Sequence, residues 1–521
     1  MTNKTILPTT VLLCLLAFPA GNMLAQPSLT GESEYRYDDA RQLWHNTDMA
    51  AGLSLDTTRN RGVAYFDLSH RSGDYHRVQE GSQSNQLQFF TERYQTIGKY
   101  LYGYGRFQFD MGRTKGRAWS DVQRTDHDNP FIVGSSLPGK YDNQSFDFTA
   151  ALGTSNFGGW RFGAQLDYKV SDLSRLRDPR SRSQLLDYRL TPSVTYTIGA
   201  NTFGVSGYYN RRKEKIPNIN TVQDDPNLLY YQMSGLEAAN GTTGGYKGFQ
   251  REWVNHLFGA SLAYGYSLNS KLSTLNVLTI GRGEEYMYEQ YKREPGRCRT
   301  YNYGVSTQNR LQAGRLLHQI DLSANYRQGY ADEYRQELQI DNDPNTGHTS
   351  YSYTTLITFK KRYQTDAFDL DLHYRLNMTD DERAINGYIG LQGHVATAND
   401  KHLLPTSQLK QSATNIKLEG GKSLLSGNRL WIDAAITRHI SHKADLDLAN
   451  PLTDYAQAVL VPDQAYLQAN YWKGDLSVTY QFPLTIKGYR SQWFAKLYGS
   501  YLKTDNSLKS QSVGLSVGVY Y

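Results

Sequence analysis

The chain has 521 residues, with 45 Gly, 41 Tyr, 15 Pro and 2 Cys, and its 56 basic and 50 acidic side chains leave a net charge of +6. That mixed balance is a poor footprint for nucleic acid, and no nucleic-acid partner is expected. Mean hydropathy is −0.62, and beyond residue 25 there is no run of about 18 apolar residues from which a membrane-spanning helix could be made.

The first 25 residues read as a secretory leader. Lys4 supplies the positive start, an apolar stretch follows to Ala20, and Leu24-Ala25-Gln26 offers a cleavage point. Cys14 follows Leu13, where a lipidation site wants a small residue, so Cys14 is expected to leave with the leader. The mature chain then keeps Cys298 alone and no disulfide is possible. Residues 26–59 form a short N-terminal segment, free to enter the lumen of whatever follows.

From about residue 60 the chain alternates. Phe368, Leu370, Leu372, Tyr374, Leu376 and Met378 share one face, against Asp369, Asp371, His373, Arg375 and Asn377. Trp160, Phe162, Ala164, Leu166, Tyr168 and Val170 oppose Arg161, Gln165, Asp167 and Lys169. Leu186, Tyr188, Leu190, Val194, Tyr196 and Ile198 oppose Asp187, Arg189, Thr191, Ser193 and Thr195. Period two marks strands with two unlike faces. Connections alternate short and long. The short set includes 97–99, 156–159, 199–201, 268–270, 313–314, 426–428 and 484–488. The long set includes 113–143, 173–183, 214–250, 397–410 and 443–469. Residues 315–378 read as one long hairpin with its tip at 341–347. Tyr100, Tyr102 and Tyr104, and Tyr208 and Tyr209, suit the aromatic girdles of a membrane barrel. No helical segment of note is expected. Val513, Leu515, Val517, Val519 and Tyr521 alternate with Ser512, Gly514, Ser516, Gly518 and Tyr520, and the sequence stops on an aromatic residue. Such an ending resembles the last-strand signal of outer-membrane proteins. Only a closed barrel carries β structure through lipid, because an open edge leaves backbone groups unpaired. The expected fold is all-β: a transmembrane antiparallel up-and-down β-barrel of about 18 strands, within a range of about 14–20, over residues 60–521.

The segment Leu43-Trp44-His45-Asn46-Thr47-Asp48-Met49-Ala50-Ala51-Gly52-Leu53 resembles the start of Bacteroidota outer-membrane barrels. It is distantly similar to the N-terminal hatch of fatty-acid-transporter-type barrels, although Asn46 is followed by Thr47-Asp48 where that hatch has Pro-Ala. Glu92-Arg93-Tyr94 through Lys99-Tyr100 and Gly105-Arg106 resemble an uncharacterised family of Bacteroidota barrels. So do Asp128-Asn129-Pro130-Phe131 through Pro138-Gly139-Lys140-Tyr141 and the leader end Leu24-Ala25-Gln26. The resemblance implies an outer-membrane location in a Gram-negative bacterium. It brings no reaction and no ligand.

There is no P-loop, Gly-x-Ser-x-Gly, His-Glu-x-x-His or Cys-x-x-Cys. His439 and His442 are three apart, on opposite faces of a strand. Asp126-His127-Asp128 and Asp341-x-Asp343-x-Asn345-x-Gly347 carry oxygens, but Ser352 stands where a calcium loop has its twelfth, acidic ligand. No catalytic residue, metal site or cofactor is assigned. The polar face is the informative one: Arg106, Asp110, Arg161, Asp167, Lys169, Asp187, Arg189, Asp321, Arg327, Asp369, Asp371, His373 and Arg375. Facing lipid near the midplane, Arg or Lys would cost roughly 2–4 kcal/mol each, so these residues are expected to face the lumen. Leu229, Tyr230, Tyr231 and Met233 form an apolar patch in loop 214–250, expected to constrict the pore or bind a partner. The leading function is non-enzymatic solute passage or ligand binding, with a porin-like barrel serving an uptake system. The alternatives are a hydrophobic-substrate channel of the fatty-acid-transporter type and a surface enzyme or adhesin. The partners implied are outer-membrane lipid and lipopolysaccharide, the barrel assembly machinery and an uptake-system component.

Overall fold

The computed structural model describes residues 31–521 except 57–59, 125–128, 223–227, 244–248, 269–270, 381–382, 426, 428 and 487–488. The leader expected over 1–25 and the Asp126-His127-Asp128 cluster lie outside the described residues.

Residues 61–520 form a closed antiparallel barrel of 18 strands. Each strand pairs with its neighbours in sequence, and the first, Arg61–Gly73, closes the ring against the last, Lys509–Tyr520. Gly62 and Tyr521 exchange backbone hydrogen bonds at the seam. Closure leaves the ring without a sheet edge, which backbone in hydrocarbon requires.

The two faces are inverted relative to a soluble sheet. Phe66, Leu68, Phe162, Leu190, Val205, Leu262, Leu372 and Leu515 are exposed on the outside. Asp67, Asp110, Thr191, Ser193, Glu285 and Gln319 are buried inside. A belt of apolar side chains around a polar interior is what lipid selects. A testable consequence concerns adjacent residues. With Cys298 replaced by serine, cysteines at Leu372 (48% exposed) or Leu166 (38%) should resist water-soluble thiol reagents in a bilayer. Cysteines at Asp371 or Gln165 should react. Equal labelling of both pairs would overturn the assignment of faces.

One end of the ring carries tight turns, where Gly199 and Gly314 adopt φ of +59°, a conformation glycine takes without penalty. The other end carries the long connections. The longest hairpin, Leu316–Asn342 and Thr349–Thr379, rises past its neighbours. At its tip Asp343 accepts hydrogen bonds from the Asn345 N–H and the Thr346 hydroxyl. Turn chemistry therefore accounts for that run of oxygens.

Several sequence expectations change. Stretch 397–410 is mostly strand: Ile385–Leu403 and Thr406–Leu424 meet at Leu404-Pro405. Stretch 173–183 shrinks likewise, because Trp160–Arg175 and Arg180–Ile198 run beyond the apolar belt, where solvated side chains no longer announce a strand. Helix does occur, at Glu32–Arg41 and over 456–468. Tyr102, Tyr104 and Tyr208 belong to no girdle. They share the inward parity of Arg106 and Ser206, and Tyr104 and Tyr208 are buried in the lumen. Tyr209 remains on the outer side, and Tyr100 is exposed in the turn, stacked on Phe157.

A polar chamber inside the ring

Residues 31–56 touch strands all around the ring, from Arg61 on the first to Tyr520 on the last. A segment this short can do so only from inside. Its helix, Glu32–Arg41, begins with Glu32 and Glu34 and ends with Arg41, which suits the helix dipole. Its docking is polar. Arg36 forks onto Asp433 at 2.7 and 2.9 Å and lies over the Trp431 ring at 4.3 Å. Trp431 Nε1 donates to Ser33 at 3.2 Å. Tyr35 donates to Glu92, and Tyr520 to Glu32. Arg61, wholly buried, reaches the Tyr35 carbonyl at 2.9 Å and Asp39 at 2.5 Å.

The second half, 43–56, docks differently. The N–H groups of Leu43, Trp44 and His45 converge on the Asp56 carboxylate at 3.0, 3.2 and 2.7 Å. The turn Ala50–Gly52 then rests on a saddle of two glycines paired across adjacent strands, Gly153 and Gly163. A Cβ at Gly153 would lie 2.2 Å from the Ala50 oxygen, and one at Gly163 would lie 2.2 Å from the Ala51 nitrogen. Gly204 and Gly265 make similar room for Met49 and Trp44. Ala51 N–H donates to Ser193 Oγ at 3.0 Å, and Asp48 pairs with Arg189.

His45 sits edge-on between Tyr94 and Tyr104 at 4.8 and 4.6 Å. Burial, with Arg61 and Arg106 nearby, pulls its pKa down to about 4, whereas burial pushes Asp39 and Asp56 up to about 6. Between pH 6.5 and 4 the undocked His45 binds a proton that the docked one refuses, so this residue weakens docking as pH falls. The two acids act oppositely, because their docked forms hold protons that the free carboxyls release above 3.8. Comparison with His45→Gln isolates the first effect. The wild-type docking constant, divided by that of the variant, should fall by up to about tenfold per pH unit over this window. A ratio independent of pH would show that His45 titrates normally.

The opposite mouth is covered by a lid. Strands Val133–Ser135, Leu229–Gly235 and Ala238–Thr243 form a small sheet. Tyr230, Tyr231 and Met233 are buried in its core with Trp119, Phe131, Trp253, Cys298 and Tyr455, while Leu229 packs at the margin. Tyr231 donates to Asp454 at 2.9 Å, although the loops carrying these residues are rooted on nearly opposite sides of the ring. The apolar patch of loop 214–250 is thus part of the covering layer, and much of that loop is regular strand. Beneath the lid, Arg124 forks onto Glu285, and Asn129 donates to the same carboxylate.

Between the helix and the wall made by the first two and last six strands lies a chamber of about 890 Å³. Arg36, Tyr388, Asp433 and Lys496 are shared with an adjoining space of about 470 Å³. Most of the charged residues expected in the lumen meet partners there, and few stand as isolated charges. Arg106 pairs with Asp147 at 2.9 Å and Asp321 with Arg310 at 2.5 Å. Asp110 accepts from Gln86, Gln88 and Gln108. Arg161 donates to Thr197, Asp167 accepts from Thr149 and Gln165, and Asp187 accepts from Asn210. Asp371 bonds His394 at 2.8 Å, with Asp369 at 4.0 Å from the same ring. His373 and Arg375 converge with Lys417 on Glu419. Lys169 is exposed, in register with Asp147 and Asp187. Arg327 lines a smaller space of about 180 Å³ with Arg124 and Arg212. Not assigned to the lumen from the sequence are Asp67, Glu92, Asp433 and Lys496, which line the chamber. Their signal was present: Asp67 sits between Phe66 and Leu68, and Lys496 between Ala495 and Leu497.

Among the described residues no group of three or more His, Cys, Asp or Glu is placed to hold a metal ion. His439 stacks on Tyr471, and His442 bonds Thr414.

No curated protein matches the chain in sequence. Among solved structures it is similar to the ferric-catecholate import receptor Fiu from E. coli K12, with 8% identity over 88% of this chain and 81% of that one and a TM-score of 0.40. It is also similar to the copper transporter OprC, with 10% identity, 88% and 80% coverage and a TM-score of 0.39. A third is Pseudomonas aeruginosa OpdL, with 11% identity, 89% and 98% coverage and a TM-score of 0.35. In sequence, residues 50–521 match the family of unknown function DUF6850, and the chain belongs to that family.

Proposed function

We propose that this protein is an outer-membrane barrel of a Gram-negative bacterium that binds a small polar solute in its lumen and passes it inward, without covalent chemistry. The observation that carries this reading is the chamber of about 890 Å³, lined by charged, hydroxyl and amide groups, between a docked N-terminal segment and a folded outer lid. The tight turns and both ends of the barrel's chain lie on one side, which is the periplasmic side in such barrels. The lid then faces outward, toward lipopolysaccharide and an uptake-system partner. The polar lining disfavours a hydrophobic-substrate channel. Insertion would need the barrel assembly machinery, for which the alternating strand ending in Tyr521 is a suitable signal.

The test is electrical. Mature protein in a planar bilayer should give no steady conductance, because both ends of the lumen are covered. A large, steady conductance from the unmodified protein would overturn the reading of segment and lid as closures.

A further inference from the structure

Two side chains of the chamber stand apart from its internal pairing. Lys417 and Lys473 are held by Glu419 and Asp475. Lys496 lines both parts of the chamber and, among the described residues, has no ion-pair partner. Asp433 feels its charge, but that carboxylate is already engaged by the Arg36 fork, Tyr388 and Ser477. Among the described residues Asp67 is also without a cation and accepts only from the neutral hydroxyls of Tyr498 and Ser516. These two opposite charges lie in one row of the wall. Lys496 is opposite Ser516, and Ser516 is opposite Asp67. Two strand spacings place their backbones about 10 Å apart. On the other side of Lys496 in the same row is Thr479, which is 1% exposed and whose Oγ1 has no hydrogen-bond partner. A buried hydroxyl without a partner is rare enough to need a cause.

We propose that this row is a binding site for a free-ended peptide of two or three residues. Lys496 and the Thr479 hydroxyl hold its carboxylate, and Asp67 holds its ammonium group. This inference rests on the proposed function, since the site lies inside the lumen. An extended peptide of that length spans up to about 7–11 Å, which matches the separation in the row. A singly charged solute would leave one of the two wall charges unanswered. A zwitterion answers both and supplies the acceptor that Thr479 lacks.

The experiment uses the full mature chain in detergent and three probes in calorimetric titration: trialanine, N-acetyl-trialanine and trialanine amide. Trialanine should bind at least tenfold more tightly than either blocked form. Lys496→Met should cost at least tenfold for trialanine and N-acetyl-trialanine and leave trialanine amide unchanged. Asp67→Asn should cost at least tenfold for trialanine and trialanine amide and leave N-acetyl-trialanine unchanged. Equal binding of the three probes, or equal losses whichever end is blocked, would overturn the site. The titration is repeated on Gly153→Ala/Gly163→Ala, in which the N-terminal segment no longer bars the chamber. Failure of trialanine to bind there also overturns it. If that variant, with the lid also released, lets sucrose into liposomes yet shows no preference for trialanine, the peptide site fails and the proposed function stands. If no polar solute passes, both fail.

Discussion

Replacing Gly153 and Gly163 together by alanine is expected to unseat the N-terminal segment while leaving the barrel folded. The added methyl groups would stand 2.2 Å from backbone atoms of Ala50 and Ala51, and no flexible side chain is there to yield. Overpacking of this kind costs roughly 1–3 kcal/mol per site. Two adjacent sites should therefore lower the docking constant by a factor of about 30 to 10⁴. The strand pairing itself is untouched, because both methyl groups project into the lumen. Limited trypsin digestion reads the effect. Arg36 and Arg41 are shielded in the docked segment and become cleavable once it is free, at a rate that follows the undocked population. Gly105→Ala, whose methyl group would meet nothing within 4 Å, serves as the control and should behave as wild type. A folded double variant as trypsin-resistant as wild type would show that the saddle is incidental.

The two halves of the segment differ in how firmly they are held. Residues 43–56 are fixed by shape, through glycine seats, a carboxylate that collects three N–H groups and the buried side chains of Trp44 and Met49. The helix before them is held by ion pairs and phenolic hydrogen bonds that water can replace. The helix also borders the chamber, with Arg36 and Asp39 in the lining. Solute in the chamber therefore meets the more replaceable half of the closure first.

Much of this was legible in the sequence, for a physical reason. Lipid on one side and a packed polar lumen on the other impose a strict alternation, and Phe368–Met378 could be read residue by residue from it. What was not legible depends on partners distant in sequence. Nothing local distinguishes Tyr208, which is buried in the lumen, from Tyr209, which faces outward, except parity counted from a secure neighbour such as Val205. The glycine saddle is invisible without register, since Gly153 and Gly163 gain meaning only when paired with each other and pressed by Ala50. The lid strand Leu229–Gly235 read as irregular because its apolar residues answer to Trp119 and Tyr455, from two other loops.

Removing the carboxylate of Glu285 is expected to release the outer lid and expose Cys298. Glu285 and Arg124 are each 4% exposed in their side chains, and Asn129 completes the site from the lid side. Breaking a buried pair by deleting one partner costs about 3–5 kcal/mol, because the other charge is left uncompensated. Glu285→Ala should thus raise the open population of the lid by a factor of roughly 150 to 5,000. Cys298 is a built-in reporter: it is directly opposite Glu285 across the strand pair, it is 2% exposed, and it is the only cysteine beyond residue 25. Its labelling by a membrane-impermeant thiol reagent should be negligible in wild type and rise about 100-fold or more in Glu285→Ala. Glu285→Gln, which keeps the shape and one acceptor oxygen, should fall between. Unchanged labelling in a folded Glu285→Ala protein would mean that the lid is held by its apolar cluster alone. Because segment and lid close opposite ends of one lumen, neither lesion by itself should open a pore. The Gly153→Ala/Gly163→Ala/Glu285→Ala combination should give a steady conductance that both parents lack. If either parent conducts as well as the combination, the two closures are not in series.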